Sequence, residues 1–390
     1  MSDRLKKPLA IIACLAGIIL LDVLLKPQFG SLQKMGDRRY KELSRPSKEV
    51  LVGVCWPFSA FRSGFDDGLN LAMDEINAGN LAGGFKIQLV MRDDEFDKNK
   101  AKRIAMEFAD NPNMSAVIGY FDDSFGIAAS PIYEESRLFH IFTGANSTQI
   151  TSYGFNYIAR TILSSDKIAA HLAKFTEDHG FRKVAIIMEE EAFGEELAYL
   201  YQSCLEKYDV KPVYFWPYPR EMVDFTLPAN QLKATDADLI FFSGLDKAGG
   251  TFINKVRGVG LDTPILGAFG EAPELLQKRV GDRLDKTMYY DIYNVNSNTP
   301  ENSAFVRKFY ARYGRRPTSW AAQGYDALYL LAKALKRTGS RIPLDLSYAV
   351  RYMDAWNGAN GRYKFDGSGN IEDKPIYFLR FGGHQPVLMP

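Results

Sequence analysis

From residue 50 onward, short apolar segments with strand character alternate with segments whose apolar residues recur at helical spacing. Phe65, Leu69, Ala72 and Ile76, for example, predict a helix over 65–77. The alternation predicts strands at 50–55, 85–91, 115–119, 138–142, 183–188, 212–215, 238–243 and 264–267, with helices at 65–77, 97–109, 126–136, 166–178, 194–206, 248–258, 301–312 and 320–336. Such an order is typical of an α/β fold, in which helices cover both faces of parallel sheets.

Parallel sheets bind ligands outside the carboxyl ends of their strands. Functional residues are therefore expected in the loops that follow the predicted strands. These loops begin at Cys55, Gly119, Phe142, Met188, Ser243 and Gly267.

The length of 390 residues predicts two or three domains. The overall charge of +1 is unevenly distributed, because residues 1–47 hold nine Lys/Arg and four Asp/Glu. The remainder is therefore mildly acidic, which argues against a nucleic-acid partner.

The N-terminus combines basic residues with an apolar stretch. Arg4, Lys6 and Lys7 precede residues 8–25, which only Asp22 interrupts. A cleaved signal peptide and a spanning helix are both compatible with this length. Because no small-x-small cleavage site follows, we favour an uncleaved signal anchor, a transmembrane helix over 1–26, with 27–47 as a tether. The basic end would stay in the cytoplasm, so that the body lies on the periplasmic side of the inner membrane. Cleavage would instead give a secreted periplasmic form.

Catalytic motifs are absent from the sequence. It contains no phosphate-binding P-loop and no G-x-S-x-G, and its four histidines are scattered. We therefore expect no enzyme, no cofactor and no metal site. Paired carboxylates occur at Asp93-Asp94, Asp122-Asp123 and 189–191. Two of these groups follow predicted strands directly, which favours a place in a cleft.

The segment Gly68-Leu-Asn-Leu-Ala-Met-Asp-Glu-Ile-Asn77 resembles the first helix of type I periplasmic binding proteins. The resemblance points to the leucine/isoleucine/valine-binding branch and extends, in order, over about 48–385. Further matching motifs are Arg92-Asp93-Asp94, Val117-Ile118-Gly119, Ala129-Ser130-Pro131, Arg160-Thr161, Phe193-Gly194, Gly324-Tyr325-Asp326-Ala327 and Phe365-Asp366.

The resemblance implies two Rossmann-like lobes joined by a hinge, with the ligand in the cleft between them. On this template, residues 48–163 and 292–364 form lobe 1, and residues 164–291 and 365–390 form lobe 2. It also implies that hinge closure captures a small molecule, which the protein delivers to the permease subunits of an ABC-type importer.

The resemblance further assigns the ligand-binding residues of lobe 1. In amino-acid-binding members, a Ser-rich loop after the third strand binds the ligand carboxylate through hydroxyl and backbone N–H groups. The corresponding loop here is Phe121-Asp122-Asp123-Ser124, where Asp123 replaces the first serine and Ser124 keeps a hydroxyl. Gly144 and Asn146 belong to the next loop of the template.

Lobe 2 and the cleft mouth complete the implied site. Phe193 replaces a family tyrosine, and Leu245, followed by Asp246, replaces a second aromatic residue. The acidic group for the ligand ammonium falls near Phe269, with Glu271 two residues on. The mouth corresponds to Trp56, Phe61 and Trp320.

Compared with the family, the carboxylate site has gained an acid and the ammonium site has lost one. The aromatic lining with Asp123 favours a flat, apolar or cationic ligand over an ordinary amino acid, although amino-acid-like and amide ligands stay open. An alternative function is a membrane-tethered sensory or regulatory module that uses the same fold to bind a ligand or a membrane-protein partner.

Overall fold

The computed structural model describes residues 30–268, 273–382 and 385–389. Their strands are β1 (Glu49–Trp56), β2 (Lys86–Asp93), β3 (Met114–Gly119), β4 (Phe139–Phe142), β5 (Ile158–Arg160), β6 (Lys183–Glu189), β7 (Lys211–Tyr218), β8 (Leu239–Ser243), β9 (Ile265–Ala268), β10 (Thr287–Asp291), β11 (Trp356–Gly358), β12 (Gly361–Tyr363), β13 (Tyr377–Gly382) and β14 (Gln385–Leu388).

The α-helices of the same residues cover the sheets. They are α1 (30–43), α2 (Phe65–Ala78), α3 (Lys98–Asp110), α4 (Asp123–Glu135), α5 (Gln149–Ser152), α6 (Ser165–Asp178), α7 (Ala192–Leu205), α8 (Thr226–Leu232), α9 (Asp246–Gly258), α10 (Pro273–Val280), α11 (Pro300–Tyr313), α12 (Ser319–Thr338) and α13 (Pro343–Arg351).

Two large sheets organise the described residues, and β11 and β12 form a separate two-stranded pair. Lobe 1 is built on a five-stranded parallel sheet in the order β2-β1-β3-β4-β5. Lobe 2 is built on a seven-stranded sheet in the order β14-β13-β10-β9-β8-β6-β7. Its strands β6 to β10 run parallel. At one edge β13 and β14 add antiparallel pairs, an orientation that the expected parallel sheets did not include. The predicted α/β fold of two lobes is confirmed.

The strand order of each sheet defines one topological switch point, the position at which the order of the strands reverses. The strand sequence reverses between β1 and β3 in lobe 1, and between β6 and β8 in lobe 2. Ligand sites of open α/β sheets lie at the carboxyl ends of such strands. The loops that begin after β1, β3, β6 and β8 are therefore the relevant ones.

Helices α2 and α12 of lobe 1 pack closely against each other. A Cβ atom at Gly68 of α2 would lie only 1.9 Å from the carbonyl oxygen of Ala321 in α12. A Cβ atom at Gly324 would likewise lie 2.7 Å from the Phe65 oxygen. Only glycine permits this approach, which explains the two glycines in the motifs that suggested the family.

Helix α1 is a feature that the sequence analysis did not foresee, since residues 27–47 were interpreted as a tether. Residues 30–43 are helical, and Leu32, Arg39 and Leu43 are buried. The guanidinium group of Arg39 donates to carbonyl oxygens at the ends of α3 and α4 and at the start of β3. Its acceptors are the oxygens of Phe108, Ala109, Asn111, Met114 and Ser136. The segment from residue 30 therefore packs onto lobe 1.

The predicted signal anchor, residues 1–26, lies outside the described residues. Within the part of the chain that the structure describes, no helix has the length and apolar character needed to cross a membrane.

Candidate functional site

Four of the predicted site residues form an aromatic cluster in lobe 1. The Phe121 ring lies 5.4 Å from Trp56, 5.0 Å from Phe61 and 5.2 Å from Trp320, measured between centroids. Trp56 is fully buried and stacks at 4.0 Å on Phe65, so it supports the cluster from within the core. Trp320 keeps intermediate exposure and presents the cluster toward solvent.

Gly144 lies directly against this cluster. A Cβ atom there would lie 2.8 Å from Phe121 Cα and 3.1 Å from the Trp56 ring. The residue is therefore needed for the loop after β4 to approach the loop after β3 closely.

The Asp123 carboxylate accepts hydrogen bonds from backbone N–H groups of the loop after β4. Its Oδ1 atom accepts hydrogen bonds from the N–H groups of Asn146 at 2.5 Å and Ser147 at 3.0 Å. The side chain is only 2% exposed, and its Oδ2 atom is buried without a hydrogen-bond partner. The carboxylate thus occupies two N–H groups of the loop that also holds Gly144 and Asn146.

The Arg160 side chain stabilises the loop after β4 through hydrogen bonds. It is fully buried and donates to the carbonyl oxygens of Asn146 and Ser147, both at 2.9 Å, and to Thr151 Oγ1 at 3.0 Å. The Asn146 side chain is also engaged, since its Oδ1 accepts from Ser165 Oγ at 3.0 Å. The loop is therefore preorganised by the chain itself.

Ser124 is engaged with its own helix. Its backbone N–H and hydroxyl both donate to Asp122 Oδ1, at 2.8 and 2.6 Å. This cap begins α4 at Asp123, three residues before the predicted start. The cap leaves Asp122 Oδ2 facing lobe 2, where Arg220 Nη2 lies 3.0 Å away.

Arg220 links the two lobes. Its Nε atom donates to Glu189 Oε1 at 2.6 Å, while its Nη2 atom reaches Asp122. Glu189 ends β6 and is 2% exposed, and its Oε2 accepts from the Leu245 N–H at 3.1 Å. The predicted residue Leu245 is thereby tied into the site through its backbone.

A second interlobe contact joins the loop after β4 to helix α7. Glu196 Oε1 accepts from the Thr148 N–H at 2.8 Å and from the Thr148 hydroxyl. The Oε2 atom of Glu196 is buried without a hydrogen-bond partner.

The remaining lobe 2 predictions are placed as follows. Phe193 lies in the first turn of α7 with intermediate exposure and packs against the main core. Asp246 begins α9. Phe269 and Glu271 lie outside the described residues.

The electrostatics of the site favour protonation of Asp123. Burial, together with the charges of Asp122 and Glu196, raises the pKa of Asp123 to about 7, although the N–H groups of Ser147 and Asn146 oppose the shift. Burial also raises the pKa of Tyr290, to which the charge of Asp123 contributes. Burial lowers the pKa of Arg160 to about 10, an effect that Asp123 and Glu196 counteract.

Sequence reasoning missed three contributors, namely Thr148, Glu196 and Arg220, and it gave Ser147 no role beyond its place in the loop with Gly144 and Asn146. Glu189 had been noted only as part of a carboxylate run after a strand. The rule that ligands bind at the carboxyl ends of strands would have indicated Arg220, which follows β7, but not its partners. Among the described residues, no group of three or more His, Cys, Asp or Glu side chains could hold a metal ion.

The chain is similar to known solute-binding proteins. A family model described as "Periplasmic binding protein" matches residues 53–385. An "Amino acid binding protein" of Pseudomonas aeruginosa is 27% identical over 76% of this chain and 80% of its own length. A "Leu/Ile/Val-binding protein homolog 1" of Brucella suis is 25% identical over 83% and 87%.

Solved structures agree. The ABC transporter substrate-binding protein of Desulfitobacterium hafniense in complex with Leu superimposes with a TM-score of 0.79 and 28% identity, covering 87% of this chain and 100% of its own. These relatives are solute-binding proteins and not enzymes. The chain therefore belongs to the type I periplasmic binding proteins, in the family of the branched-chain amino acid-binding proteins.

Proposed function

We propose that this protein is an extracytoplasmic solute-binding protein, which captures a small molecule between its lobes by hinge closure and delivers it to an ABC-type importer. The observation that carries the proposal is the pair of contacts across the cleft. Asp122 of lobe 1 binds Arg220 of lobe 2, and Thr148 of lobe 1 binds Glu196 of lobe 2. Hinge closure around a ligand is the characteristic motion of periplasmic binding proteins.

The ligand would contact both lobes, because only a ligand with differential affinity for the closed form can shift the equilibrium toward it. We assign Phe121, Asp123 and Trp320 as its lobe 1 contacts and Phe193 and Leu245 as its lobe 2 contacts. Trp56, Phe61, Ser124, Gly144 and Asn146 would shape the site from behind, with Asp246, Phe269 and Glu271 as further lobe 2 candidates.

We further propose that residues 1–26 anchor the protein in the inner membrane as a single-pass signal anchor, with the lobes on the periplasmic side. The rigid attachment of α1 to lobe 1 through Arg39 suits a body held at a fixed distance from the membrane. Alkaline extraction of membranes tests the anchor: an anchored chain stays in the pellet at full length, whereas a shortened chain in the soluble fraction contradicts it.

A thermal-shift screen tests ligand capture. The full-length chain in a non-ionic detergent would be screened with amino acids, amides, aromatic acids and amines. A compound at 100 times its dissociation constant stabilises the folded state by about 2.7 kcal/mol, so a specific ligand gives a saturable rise in melting temperature. The absence of any saturable shift would contradict solute capture by these ligand classes.

The docked helix α1 also favours the second candidate, a membrane-tethered sensory module. Transport separates the two functions. For a transport protein, deletion of the gene abolishes uptake of the radiolabelled screening hit. For a sensory module, uptake is unchanged, and the protein instead crosslinks to a membrane partner other than a permease.

A further inference from the structure

Three consecutive peptide groups in the loop after β4 bind carboxylates from both lobes. The N–H groups of Asn146 and Ser147 donate to Asp123 Oδ1, and the next N–H group, that of Thr148, donates to Glu196 Oε1. Asp123 begins α4 in lobe 1, whereas Glu196 lies in α7 of lobe 2. Their donors are adjacent in the chain, and the charge of Glu196 acts on Asp123, so the two carboxylates lie near each other across the cleft.

The second oxygen of each carboxylate is buried without a hydrogen-bond partner. This holds for both Asp123 Oδ2 and Glu196 Oε2, and the Asp123 side chain is only 2% exposed. A buried acceptor that finds no donor destabilises the protein, and a buried charge does so more strongly. The pair of oxygens therefore calls for a donor that carries positive charge.

The neighbouring cations do not fill this role. Arg220 is used by Asp122 and Glu189, and Arg160 donates to the carbonyl oxygens of the loop and to Thr151. Within the part of the chain that the structure describes, no side-chain donor therefore reaches Asp123 Oδ2 or Glu196 Oε2.

We propose that Asp123 and Glu196 together bind the ammonium group of the ligand, and that this ligand is an organic amine without a neighbouring carboxylate. The inference deepens the proposed function and rests on it. An ammonium group has three donors and no acceptor, which matches two carboxylate oxygens presented from opposite lobes. An amine bound in this way contacts both lobes and therefore favours the closed form.

The same geometry opposes a ligand carboxylate. The N–H groups of residues 146–148 are occupied by carboxylates of the chain, so an incoming anion would meet two like charges instead of free donors. A metal ion fits less well, because among the described residues no third acidic, histidine or cysteine side chain completes a cluster.

The aromatic cluster defines the other end of the ligand. Phe121 lies two residues before Asp123 in the chain, and its ring packs against Trp320 at 5.2 Å. An aryl or branched alkyl group attached to the amine would bury apolar surface there. The ligand class is therefore an arylalkylamine or a branched alkylamine.

Matched ligands test the proposal by isothermal titration calorimetry on the full-length chain in a non-ionic detergent. The first set is 2-phenylethylamine, phenylalanine and 3-phenylpropanoate; the second is 3-methylbutylamine, leucine and 4-methylpentanoate. Within each set the hydrocarbon is similar, and only the ammonium and carboxylate groups change. In each set, the dissociation constant of the amine is expected to be lower than those of the other two members by a factor of about ten or more.

Three variants locate the effect. Asp123→Asn and Glu196→Gln keep the side-chain shape but remove the charge, and each is expected to weaken amine binding about tenfold or more. Glu195→Gln, on an exposed neighbour in the same helix, is the control and is expected to leave binding unchanged. Asp123→Ser frees the two N–H groups and is expected to increase the affinity for 4-methylpentanoate.

The outcomes separate this inference from the proposed function. Tight binding of leucine or phenylalanine, without measurable binding of the amines, would overturn the amine assignment. Such a result would leave solute capture intact. Equal amine affinity in Glu196→Gln and Glu195→Gln would do the same. If no member of either set binds, both the amine assignment and its placement between the lobes fail.

Discussion

Arg220 of lobe 2 donates to Asp122 of lobe 1 across a distance of 3.0 Å, so the chain itself supplies an ion pair between its lobes. The Arg220 side chain is 27% exposed, and the Asp122 side chain is only 6% exposed. Charge-assisted bonds that are shielded from water are stronger than those at the surface. The position of the proposed hinge equilibrium should therefore depend on this pair as well as on the proposed ligand.

Replacing Arg220 by alanine is expected to shift the lobes toward an open arrangement. The change leaves the buried Asp122 without its partner from lobe 2, a loss of about 2–5 kcal/mol from the closed form, whereas the bond to Glu189 lies within lobe 2 and is lost in either arrangement. Distances between spin labels at the exposed positions Lys102 in lobe 1 and Lys233 in lobe 2 report the opening.

The control for this prediction is Arg92→Ala, because Arg92 pairs with Glu107 inside lobe 1, where both side chains are largely exposed. Surface pairs contribute little, so its label distances should match those of the parent. Identical distance distributions for Arg220→Ala and Arg92→Ala would show that the ion pair does not influence closure.

The sequence predicted the scaffold well, because hydrophobic periodicity is local information. The strand at 50–55 is found as Glu49–Trp56, and the helix at 65–77 as Phe65–Ala78. The strands β13 and β14 are absent from the strands that hydrophobic periodicity predicts, although the template placed a final strand region of lobe 2 within 365–390. The position of β13 depends on antiparallel pairing with β10 about 90 residues earlier, and β14 pairs with β13.

The site was predicted only in part, for a physical reason. Asp123 was identified, but whether its carboxylate faces a ligand or its own backbone depends on a loop 23 residues away. Arg220 meets Asp122 over a separation of 98 residues, which no local pattern encodes. The composition of residues 27–47 indicated a tether, yet Arg39 is buried by carbonyl groups far along the chain.

Arg39→Ala is expected to destabilise lobe 1 by about 3–5 kcal/mol, because it leaves several buried carbonyl groups of α3, α4 and β3 without a donor. Urea unfolding followed by circular dichroism measures the loss. The adjacent Arg38→Ala is a matched control, since Arg38 is 57% exposed and pairs with an exposed Asp110. Similar unfolding midpoints for the two variants would contradict the docking role of Arg39.

Gly144→Ala is expected to destabilise the protein by about 1–3 kcal/mol through overpacking, because the new methyl group would press on the backbone of Phe121 and Tyr120, each 2.8 Å away. Thermal unfolding measures the effect. Gly258→Ala has no heavy atom within 4 Å and lies at the end of α9, so its melting temperature should stay close to that of the parent. If both variants melted alike, the close approach of the two loops would not matter for stability.

The raised pKa of Asp123 predicts a pH dependence of stability with a definite sign. Between the ordinary pKa of 3.8 and the folded value of about 7, the folded state binds a proton that the unfolded state has released. Stability therefore falls as pH rises through this window, by at most about 1.4 kcal/mol per pH unit, and the Asp123 contribution is constant above it. The charged and titratable groups that act on Asp123 are Asp122, Glu196, Arg160 and Tyr290.

Asp123→Asn isolates this dependence, because other shifted groups are the same in both proteins, such as the buried pair in which desolvation raises the pKa of Asp326 and lowers the pKa of Lys374. The difference in unfolding free energy between parent and variant, measured in urea at pH 5, 6, 7 and 8, should change steadily up to about pH 7 and then level off. Amine binding requires the ionised carboxylate, so the affinity of the parent for 2-phenylethylamine should rise over the same range, by up to about tenfold per pH unit. A difference between parent and variant that stays constant from pH 5 to pH 8 would show that the pKa of Asp123 is not raised, and that its carboxylate is not held in a buried environment.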